Sequence, residues 1–414
     1  MAKMGYKISL WQLPYIPEGS QYFEELKAVD GFVKTRDGEI YDTGIIFSRE
    51  KRIAACIDFT NPKAVEVYQK WIGRLLKLGA KVIKVDFGEQ APIDGIYHNG
   101  KTGRRMHNLY PLLYNQAAAK ITKEIHEIGF IWARSAWAGS QRYPVHWGGD
   151  SSANWFNLIP TLEAGLSFGL SGFQFWSEDI GGFTGSTGGD LLIRWMQMGL
   201  FHSHSRIHGT FKRELYRFNK NVIKICSDYI NLRYQLIPYI YGSAIKCVKS
   251  SLPMTRALVI EFQDDPNVWN IGDQFLFGDF FLVAPIYRAD NSRAIYFPEG
   301  TWIDWWTRDK IKGKQWINID SDIDKLPLYV REGAIIPMGP IMQYIDEFEI
   351  SEIELYIAPF QRDGTTEFTI PVNNEMIKVE YTALKGEHDL KIEKSKVKFK
   401  IVVMGNEELK INKD

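Results

Sequence analysis

The sequence predicts an α/β protein built from parallel βαβ units, followed by an all-β region. Short apolar strand segments alternate with amphipathic helices through the first two-thirds of the 414 residues, and glycines close several of the helices. The polar and aromatic loops follow the strands rather than the helices. After about Asp279 the chain changes to short apolar or alternating segments separated by Gly, Pro and Asn, which is typical of β-sandwiches. The alternation favours either a (β/α)8 TIM-type barrel or a doubly wound sheet.

The first βαβ unit has the clearest signals. Lys7–Trp11 is the opening strand, and the Asp-Gly pair at 37–38 indicates a hairpin turn. Asn61 is a good N-cap with a proline at the first helical position, and apolar residues then keep helical spacing until Gly79. The segment AKVIKVDFGE follows at once and predicts a buried strand.

The alternation continues along the chain. The next elements are the helix LLYNQAAAKITKEIHEIG, the strands FIWARSAW and SGFQFWSEDI, the helix DLLIRWMQMGLF, a helical region over Asn221–Lys249 and the strand MTRALVIEF. Because loops at the carboxyl ends of parallel strands bind ligands in both candidate folds, the site is expected there. A further break occurs near Pro340. The predicted domains are therefore the barrel over 1–278, a proximal β-sandwich over 279–340 and a distal β domain over 341–414.

Composition excludes several classes of protein. Fifty Lys and Arg balance fifty Asp and Glu, so the basic excess of a nucleic-acid binder is missing. No apolar run reaches the roughly 18 residues of a membrane span, and the first residues do not form a secretory signal. The three cysteines, Cys56, Cys226 and Cys247, form no disulfide framework and have no metal-ligand spacing, which predicts a reducing, cytoplasmic setting. No phosphate-binding glycine motif follows a strand, so we expect no nucleotide, other cofactor or metal.

Aromatic residues are unusually frequent. Thirteen Trp, 20 Tyr and 24 Phe make up 14% of the chain. Large aromatic cores explain most of them. A second interpretation is sugar recognition, because the flat C–H faces of pyranose rings stack on indole.

The motif KVDFGE contains the first candidate catalytic carboxylate. Lys84 and Asp86 are two residues apart on a strand, so their side chains share one face. A carboxylate beside an ammonium group stays ionised and has a lowered pKa, which suits a nucleophile. The alternative is a structural ion pair at the end of the barrel.

The motif RYPVHWGGD contains the second carboxylate. Asp150 follows two glycines, which permit a tight turn close to a ligand, and Trp147 offers an aromatic wall. A carboxyl group against apolar surface has a raised pKa and can act as a general acid. The alternative is an ordinary turn in which Asp150 caps the next helix.

Arg134 lies within the apolar strand segment FIWARSAW. A buried guanidinium group requires carboxylate partners, and Asp86 or Asp179 would serve. This pairing could be structural, or it could place Arg134 against a substrate.

Three histidines lie close together in HSHSRIHG. The spacing of His202, His204 and His208 matches no common zinc motif, so metal binding is disfavoured. His208, beside Gly209, is the best candidate for a hydrogen bond to a substrate hydroxyl group. A Ser-His-Asp triad is also disfavoured because the chain has no GxSxG motif.

Two carboxylates on different strands, in an aromatic site without metal or nucleotide motifs, indicate glycoside hydrolysis. The motifs KVDFGE, ARSAWAGSQRYPVHWGGDSSANW, LSGFQFWSEDIGGF and SHSRIHG, in this order and spacing, resemble glycoside hydrolase family 31 and are most similar to its α-xylosidases. The resemblance extends over essentially the whole chain. It is strongest over 80–210 and weakest over the last 70 residues or so.

The resemblance implies a retaining α-glycosidase. Asp86 matches the family's nucleophile and Asp150 its general acid/base, which a retaining mechanism places about 5–5.5 Å apart. Lys84 stands where the family's α-xylosidases carry lysine and many α-glucosidases carry tryptophan or another residue, so the resemblance favours terminal xylose, as in xyloglucan oligosaccharides, over glucose. Positions matching sugar-binding or site-supporting residues of the family are Trp11, Lys84, Arg134, Trp147, Asp179 and His208.

Family members are longer than this chain. They carry an N-terminal β-sandwich and two barrel strands before the region that matches Lys7–Trp11, and one of those strands supplies another substrate-binding carboxylate. The resemblance therefore implies a barrel truncated to strands 3–8, with two open edges, followed by two β-sandwiches. We expect such a fragment to need a complementary N-terminal piece, and it could otherwise bind sugar without turnover. Other expected partners are an oligosaccharide substrate and further copies of the chain. The alternative of an oxidoreductase on an α/β sheet is disfavoured because the chain has no dinucleotide-binding motif.

Overall fold

The computed structural model describes residues 4–45, 53–405 and 411–413. The chain divides into two compact units, unit 1 (Met1–Trp147) and unit 2 (Gly148–Asp414). Among the described residues, no helix combines the length and the apolar character that crossing a bilayer requires.

Unit 1 alternates strands and helices. Its strands are β1 (Ile8–Gln12), β2 (Tyr15–Pro17), β3 (Ala54–Cys56), β4 (Ala80–Val85), β5 (Ile131–Ala133) and β6 (His146–Trp147). Its helices are α1 (Gln21–Lys27), α2 (Pro62–Lys77), α3 (Gly103–Met106) and α4 (Tyr110–His126), with a 3-10 turn at Ser140–Arg142.

The central sheet of unit 1 is parallel, in the order β1, β4, β5, β6. Gln12 pairs with Val85, Val85 with Ala133, and Ala133 with His146. The carboxyl ends of these strands therefore meet at one edge of the sheet, and residues that follow the strands are brought together there.

Helix α2 confirms the predicted start signal. The Asn61 side chain accepts a 3.0 Å hydrogen bond from the backbone N–H of Lys63, and the proline occupies the first helical position. Gly79, at φ 116°, lets the chain turn directly into β4. The apolar face of α2 lies in the core of unit 1 through Ala64, Tyr68, Trp71, Ile72 and Leu76.

The predicted hairpin turn at 37–38 is also confirmed. Lys34 and Ile40 form an antiparallel bridge, and Thr35 N–H donates to the Glu39 carbonyl oxygen at 2.8 Å. Gly38 adopts φ 88°, a conformation that favours glycine.

Strand β4 places alternate side chains on opposite faces. Ile83 and Val85 are fully buried in the core of unit 1, whereas Lys84 and Asp86 share the other face. The Asp86 N–H donates to the Gln12 carbonyl oxygen at 3.0 Å, so the pairing with β1 extends one residue beyond the strand. The predicted same-face placement of Lys84 and Asp86 is confirmed.

Unit 2 begins with helices and short strands and continues as β-sheet. Its helices are α5 (Trp155–Leu170), α6 (Gly189–Gly199), α7 (Lys220–Gln235), α8 (Ile237–Ser250) and α9 (Leu258–Glu261). Its first strands are β7 (Trp176–Ser177), β8 (Asp179–Ile180), β9 (Arg206–Ile207), β10 (Thr255–Ala257), β11 (Phe275–Phe277) and β12 (Phe281–Val283). The later strands are β13 (Ser292–Phe297), β14 (Thr301–Asp304), β15 (Lys310–Lys312), β16 (Gln315–Asp320), β17 (Leu328–Arg331), β18 (Ile335–Met338), β19 (Glu352–Ile357), β20 (Gly364–Val372), β21 (Glu375–Leu384), β22 (Glu387–Ile392), β23 (Lys398–Val403) and β24 (Asn412–Lys413).

The sheets of the C-terminal region are largely antiparallel. One has the order β10-β11-β12-β17-β14-β15, β20 to β22 form a meander, and β13 pairs with β16 in a two-stranded ribbon. Long-range exceptions are the parallel pairs β19–β23 and β22–β24. The predicted change from alternating elements to β-structure is confirmed, whereas the predicted domain bounds stay predictions.

Three predicted elements differ in detail. MTRALVIEF divides into β10, which pairs antiparallel with β11, and the short helix α9, because so brief an apolar run fits either element equally well. SGFQFWSEDI forms two short strands with Glu178 between them. The helical region over 221–249 divides into α7 and α8 next to Pro238, which lacks the N–H that a continuous helix needs.

Candidate active site

Asp86 is the buried carboxylate around which the unit 1 part of the site is built. Its Oδ1 accepts a 2.8 Å hydrogen bond from the Phe87 backbone N–H and lies 3.0 Å from Arg134 Nη1. Its Oδ2 accepts a 2.5 Å hydrogen bond from Trp11 Nε1 and lies 3.3 Å from Lys84 Nζ. Each oxygen thus faces one cation and one N–H donor, which fixes the orientation of the carboxylate.

The turn after Asp86 explains the glycine of KVDFGE. Phe87 and Gly88 both have positive φ, 59° and 98°, and they redirect the chain immediately after the carboxylate. A Cβ on Gly88 would lie 2.6 Å from Ser135 Oγ, which itself donates a 2.6 Å hydrogen bond to the Phe87 carbonyl oxygen. The Tyr114 hydroxyl group donates to the Asp86 carbonyl oxygen at 3.2 Å. Any larger residue at 88 would displace this support.

Arg134 directly follows β5 and lies beside β4 through its backbone. It forms ion pairs with Asp86 and with Glu89, three residues further along KVDFGE. Its guanidinium carbon lies 4.2 Å from the centroid of the Phe87 ring, a cation–π contact that limits its rotation. The predicted partnership with Asp86 is present, and Glu89 is a partner that sequence reasoning missed although the motif contains it.

Lys84 connects the carboxylate to an aromatic wall. Its Nζ lies 4.3 Å from the centroid of the buried Trp147 ring as well as 3.3 Å from Asp86. Trp147 also packs edge-to-face with Trp132, at 6.2 Å between centroids and an interplanar angle of 78°. The ammonium group is therefore held in one place between a negative charge and an indole face.

Asp150 occupies a different kind of environment. Gly149 has φ 76°, and a Cβ on Gly148 would lie 3.0 Å from the Trp176 ring, so both positions before Asp150 favour glycine. Asp150 itself is exposed. Its alternative role as the cap of the following helix is wrong, because the Asn154 side chain caps α5.

Asp179 is fully buried on β8, which pairs in parallel with β9. Arg206 on β9 donates from Nε to Asp179 Oδ1 at 2.7 Å, and its Nη2 contacts the same oxygen. The sequence predicts Asp179 as one of two possible partners of Arg134, and within unit 2 the Asp179 carboxylate forms an ion pair with Arg206. Sequence reasoning overlooked Arg206, although it lies in the SHSRIHG motif.

The histidines of HSHSRIHG have separate environments. His202 Nδ1 contacts Glu178 Oε2 at 2.5 Å, and both residues are buried. The His208 ring lies 5.4 Å from the Phe183 ring, beside a cleft of about 260 Å³. The loop that carries Phe183 is held by Arg213, which donates to the carbonyl oxygens of Gly182 and Gly185.

His146 precedes Trp147 on β6 and is buried. Burial disfavours the charged ring and lowers the pKa of His146 to about 3. The strand that leads to the Asp150 turn thus carries an imidazole that is neutral near pH 7.

Burial also lowers the pKa of the Arg213 guanidinium group, whereas the negative charge of Asp179 acts in the opposite direction.

The predicted residues divide between the two units. Unit 1 brings together the nucleophile candidate and four predicted sugar-binding residues, namely Trp11, Lys84, Asp86, Arg134 and Trp147. Unit 2 contains Asp150, Asp179 and His208. Their assignment to catalysis and sugar binding stays a prediction.

Two family models match the chain. The glycosyl hydrolases family 31 TIM-barrel domain matches residues 1–243, and the glycosyl hydrolase family 31 C-terminal domain matches residues 251–336. The barrel is therefore the architecture of the first region, and a family C-terminal β domain follows it.

Known proteins of this family are similar over most of the chain. An α-xylosidase of Emericella nidulans is 35% identical over 351 residues, covering 82% of this chain and 44% of the relative. Alpha-glucosidase 2 of Bacillus thermoamyloliquefaciens is 32% identical over 351 residues, covering 79% of this chain and 44% of the relative. A structure of the GH31 dextranase of Flavobacterium johnsoniae with glucose has a TM-score of 0.85 and 29% identity, covering 92% of this chain and 51% of that chain.

The chain thus spans 44% of the length of these curated relatives. The family barrel model covers residues 1–243, which contain the Asp86 cluster, and the α-xylosidase is 35% identical over 82% of this chain. On these grounds the chain belongs to glycoside hydrolase family 31.

Proposed function

We propose that this chain carries the chemistry of a retaining α-glycosidase that removes terminal α-linked xylose from xyloglucan-type oligosaccharides. The observation that carries the proposal is the Asp86 carboxylate, held between Lys84, Arg134 and the Trp11 indole at the carboxyl end of a parallel strand. A carboxylate fixed by surrounding donors is oriented for attack on a single carbon atom of a bound sugar.

The reaction takes two steps. Asp86 attacks the anomeric carbon and forms an ester with the sugar, while Asp150 gives its proton to the departing glycosidic oxygen. Asp150 then takes a proton from water, the water oxygen attacks the same carbon, and the ester bond to Asp86 breaks. Two displacements at one carbon retain its configuration.

Lys84 supports the preference for xylose. Its ammonium group is fixed beside the nucleophile by the Asp86 ion pair and the Trp147 ring, so it restricts the space around the first sugar. Xylose lacks the hydroxymethyl group that glucose carries at C5, and a restricted subsite favours the smaller ring. An α-glucosidase is the second candidate, because one relative of nearly equal similarity is named as such.

The chain spans only 44% of the length of the α-xylosidase relative, so turnover can require a region that the relative contains and this chain does not include. We infer that the residues which precede this region in the relatives complement it, and that copies of the chain can associate. A cytoplasmic location is supported by three buried cysteines that are unbonded to one another.

The test is the ratio of kcat/KM for p-nitrophenyl α-xyloside to that for the α-glucoside. It is measured on the chain alone and after mixing with a separately expressed piece covering the preceding region of a relative. We expect turnover with the xyloside preferred, either alone or after mixing. A preference for glucoside would favour the second candidate, and silence in both preparations would contradict the proposal.

Lys84→Met sharpens the substrate assignment. The variant removes the charge, so the ion pair that fixes the side chain beside Asp86 is lost and the flexible methionine can move aside for the hydroxymethyl group of glucose. We expect the xyloside-to-glucoside ratio to fall about tenfold, the discrimination that one small group typically provides in a pocket. Lys81→Met is the matched control, since Lys81 lies on the same strand and is exposed. An unchanged ratio in Lys84→Met would remove the basis for the xylose preference.

A further inference from the structure

A polar cleft with an exposed indole lies on the β13–β16 ribbon of unit 2. The cleft measures about 430 Å³, a size within the range of small-molecule sites, and Trp316 forms part of its lining. Half of the Trp316 surface remains exposed. Neither family model nor the proposed reaction assigns a role to this part of the chain.

The strand register explains how the cleft is formed. Trp316, Asn318 and Asp320 alternate along β16, so all three side chains project from one face, and all three are exposed. Across the ribbon, Asn318 pairs with Ala294 and Asp320 with Ser292. Tyr296, opposite Trp316, packs against the indole at 5.2 Å between ring centroids and supports it. The small side chains of Ser292 and Ala294 leave a trough further along the ribbon, bordered by the amide of Asn318 and the carboxylate of Asp320.

One wall of the cleft is a pre-organised acceptor. Asp273 Oδ1 lies 3.1 Å from Arg293 Nη2, and Asp273 Oδ2 accepts a 3.0 Å hydrogen bond from the Tyr287 hydroxyl group. Arg293 is buried and is itself fixed by hydrogen bonds to the carbonyl oxygens of Asp273 and Pro285 at 2.8 and 2.7 Å. The Asp273 carboxylate is therefore held rigid yet 28% exposed, which leaves it able to accept further hydrogen bonds.

The charges around the cleft indicate an uncharged ligand. Asp273 and Asp320 are balanced by Arg288 and Arg293, so neither an anion nor a cation is favoured overall. A flat indole face next to carboxylate, amide and guanidinium groups is complementary to a ring that has apolar C–H faces and a rim of hydroxyl groups.

We propose that this cleft, defined by Trp316, Asn318, Asp320 and Asp273, is a second saccharide-binding site that takes a neutral oligosaccharide or polysaccharide chain. The sugar ring stacks on Trp316, and its hydroxyl groups donate to Asp273 and Asp320. The site needs no part of the Asp86 cluster, so it holds a glycan without cleaving it. It does not depend on the proposed function being correct.

Affinity electrophoresis of the full chain tests the proposal. Native gels contain soluble xyloglucan or, separately, dextran, and the protein carries Asp86→Ala so that no polymer is cleaved during the run. We expect at least one polymer to retard the parent, and Trp316→Ala to weaken the apparent affinity about tenfold or more, as expected for a lost aromatic stacking contact.

Two further variants separate binding from folding. Trp316→Phe retains a flat ring and should keep most of the retardation, and Asp320→Asn should weaken it severalfold without loss of folding, since the side chain is exposed. Tyr241→Ala is the matched control because Tyr241 is an exposed aromatic residue of helix α8, outside the cleft. Melting curves of all variants accompany the gels.

The proposal is overturned if no polymer retards the parent, or if Trp316→Ala and Tyr241→Ala behave alike. It is also overturned if Trp316→Ala changes only the oligomeric state in size-exclusion chromatography, because a second copy of the chain then covers this face. Hydrolysis of p-nitrophenyl α-xyloside should be the same with and without Trp316→Ala in the chain that retains Asp86. An inactive chain that still shows Trp316-dependent retardation would contradict only the proposed function.

Discussion

Asp86 and Asp150 are both carboxylates at strand ends, but their surroundings differ sharply. Asp86 is buried and contacted by two cations and two N–H donors within unit 1. Asp150 is exposed and follows a turn of two glycines. A nucleophile must be aimed at one carbon atom, whereas a group that donates and then accepts a proton must reach both a leaving oxygen and a water molecule. The difference in their surroundings agrees with the proposed roles of Asp86 as nucleophile and Asp150 as general acid/base.

The largest expected effect comes from removing the fixed carboxylate. Asp86→Ala should lower kcat/KM on p-nitrophenyl α-xyloside by about four orders of magnitude, because the ester intermediate cannot form. Steady-state kinetics on the preparation that shows turnover checks this. Asp86→Asn is the control for packing, since it keeps the shape but should be equally inactive. An active Asp86→Asn variant would refute the nucleophile assignment.

Removing the exposed carboxylate should have an effect that depends on the leaving group. Asp150→Ala should cost about 10²–10⁴-fold with a sugar as leaving group, where protonation is required. With p-nitrophenol, which leaves without protonation, the first step should be much less affected. Comparing kcat/KM on an oligosaccharide and on the aryl xyloside measures this. Asp228→Ala, at an exposed aspartate of α7, is the control, and equal losses on both substrates would contradict an acid role.

A smaller change tests whether the N–H donors around Asp86 orient its carboxylate. Trp11→Phe removes the Nε1–H bond to Asp86 but keeps an aromatic ring, and we expect kcat to fall about tenfold with KM less affected. Trp71→Phe is a matched control because it removes an indole bond to Glu25 in the same unit. If both variants lost activity equally, the effect would come from stability rather than orientation.

The smallest effect concerns the strand that leads to the Asp150 turn. The pKa of His146 is about 3 in the folded chain, below its unfolded value near 6.5, so the unfolded state binds the extra proton between these values. Stability should therefore fall as the pH drops from about 6.5 towards 3, with a contribution of about 1.4 kcal/mol per pH unit from this residue.

Denaturant titrations of the parent and of His146→Gln at several pH values measure this contribution. The parent loses the contribution of His146 as the pH falls, whereas the variant has no such contribution to lose. If His146→Gln is the less stable chain at neutral pH, the difference in free energy of unfolding between the two chains should therefore shrink as the pH falls. If the free energies of unfolding of parent and variant changed with pH in parallel, the pKa of His146 would not be lowered in the folded chain.

Local sequence determined much of the fold around Asp86. The N-cap at Asn61, the glycine at 79 and the alternation along β4 act within a few residues, so α2 and the shared face of Lys84 and Asp86 could be predicted. The order of four motifs likewise sufficed to identify the family that the barrel model then matched. These signals depend on spacing along the chain and need no knowledge of long-range packing.

Only the tertiary structure decided which charges meet. Arg134 had two candidate partners in the sequence, and parallel pairing of β4 with β5 gave it Asp86 and Glu89, while pairing of β8 with β9 gave Asp179 to Arg206. The trough beside Trp316 also exists only because β13 and β16 pair in one particular register. Sequence spacing fixes which face a side chain takes, but strand pairing brings together residues that are tens of positions apart, and that is why contacts between ionised groups required the fold.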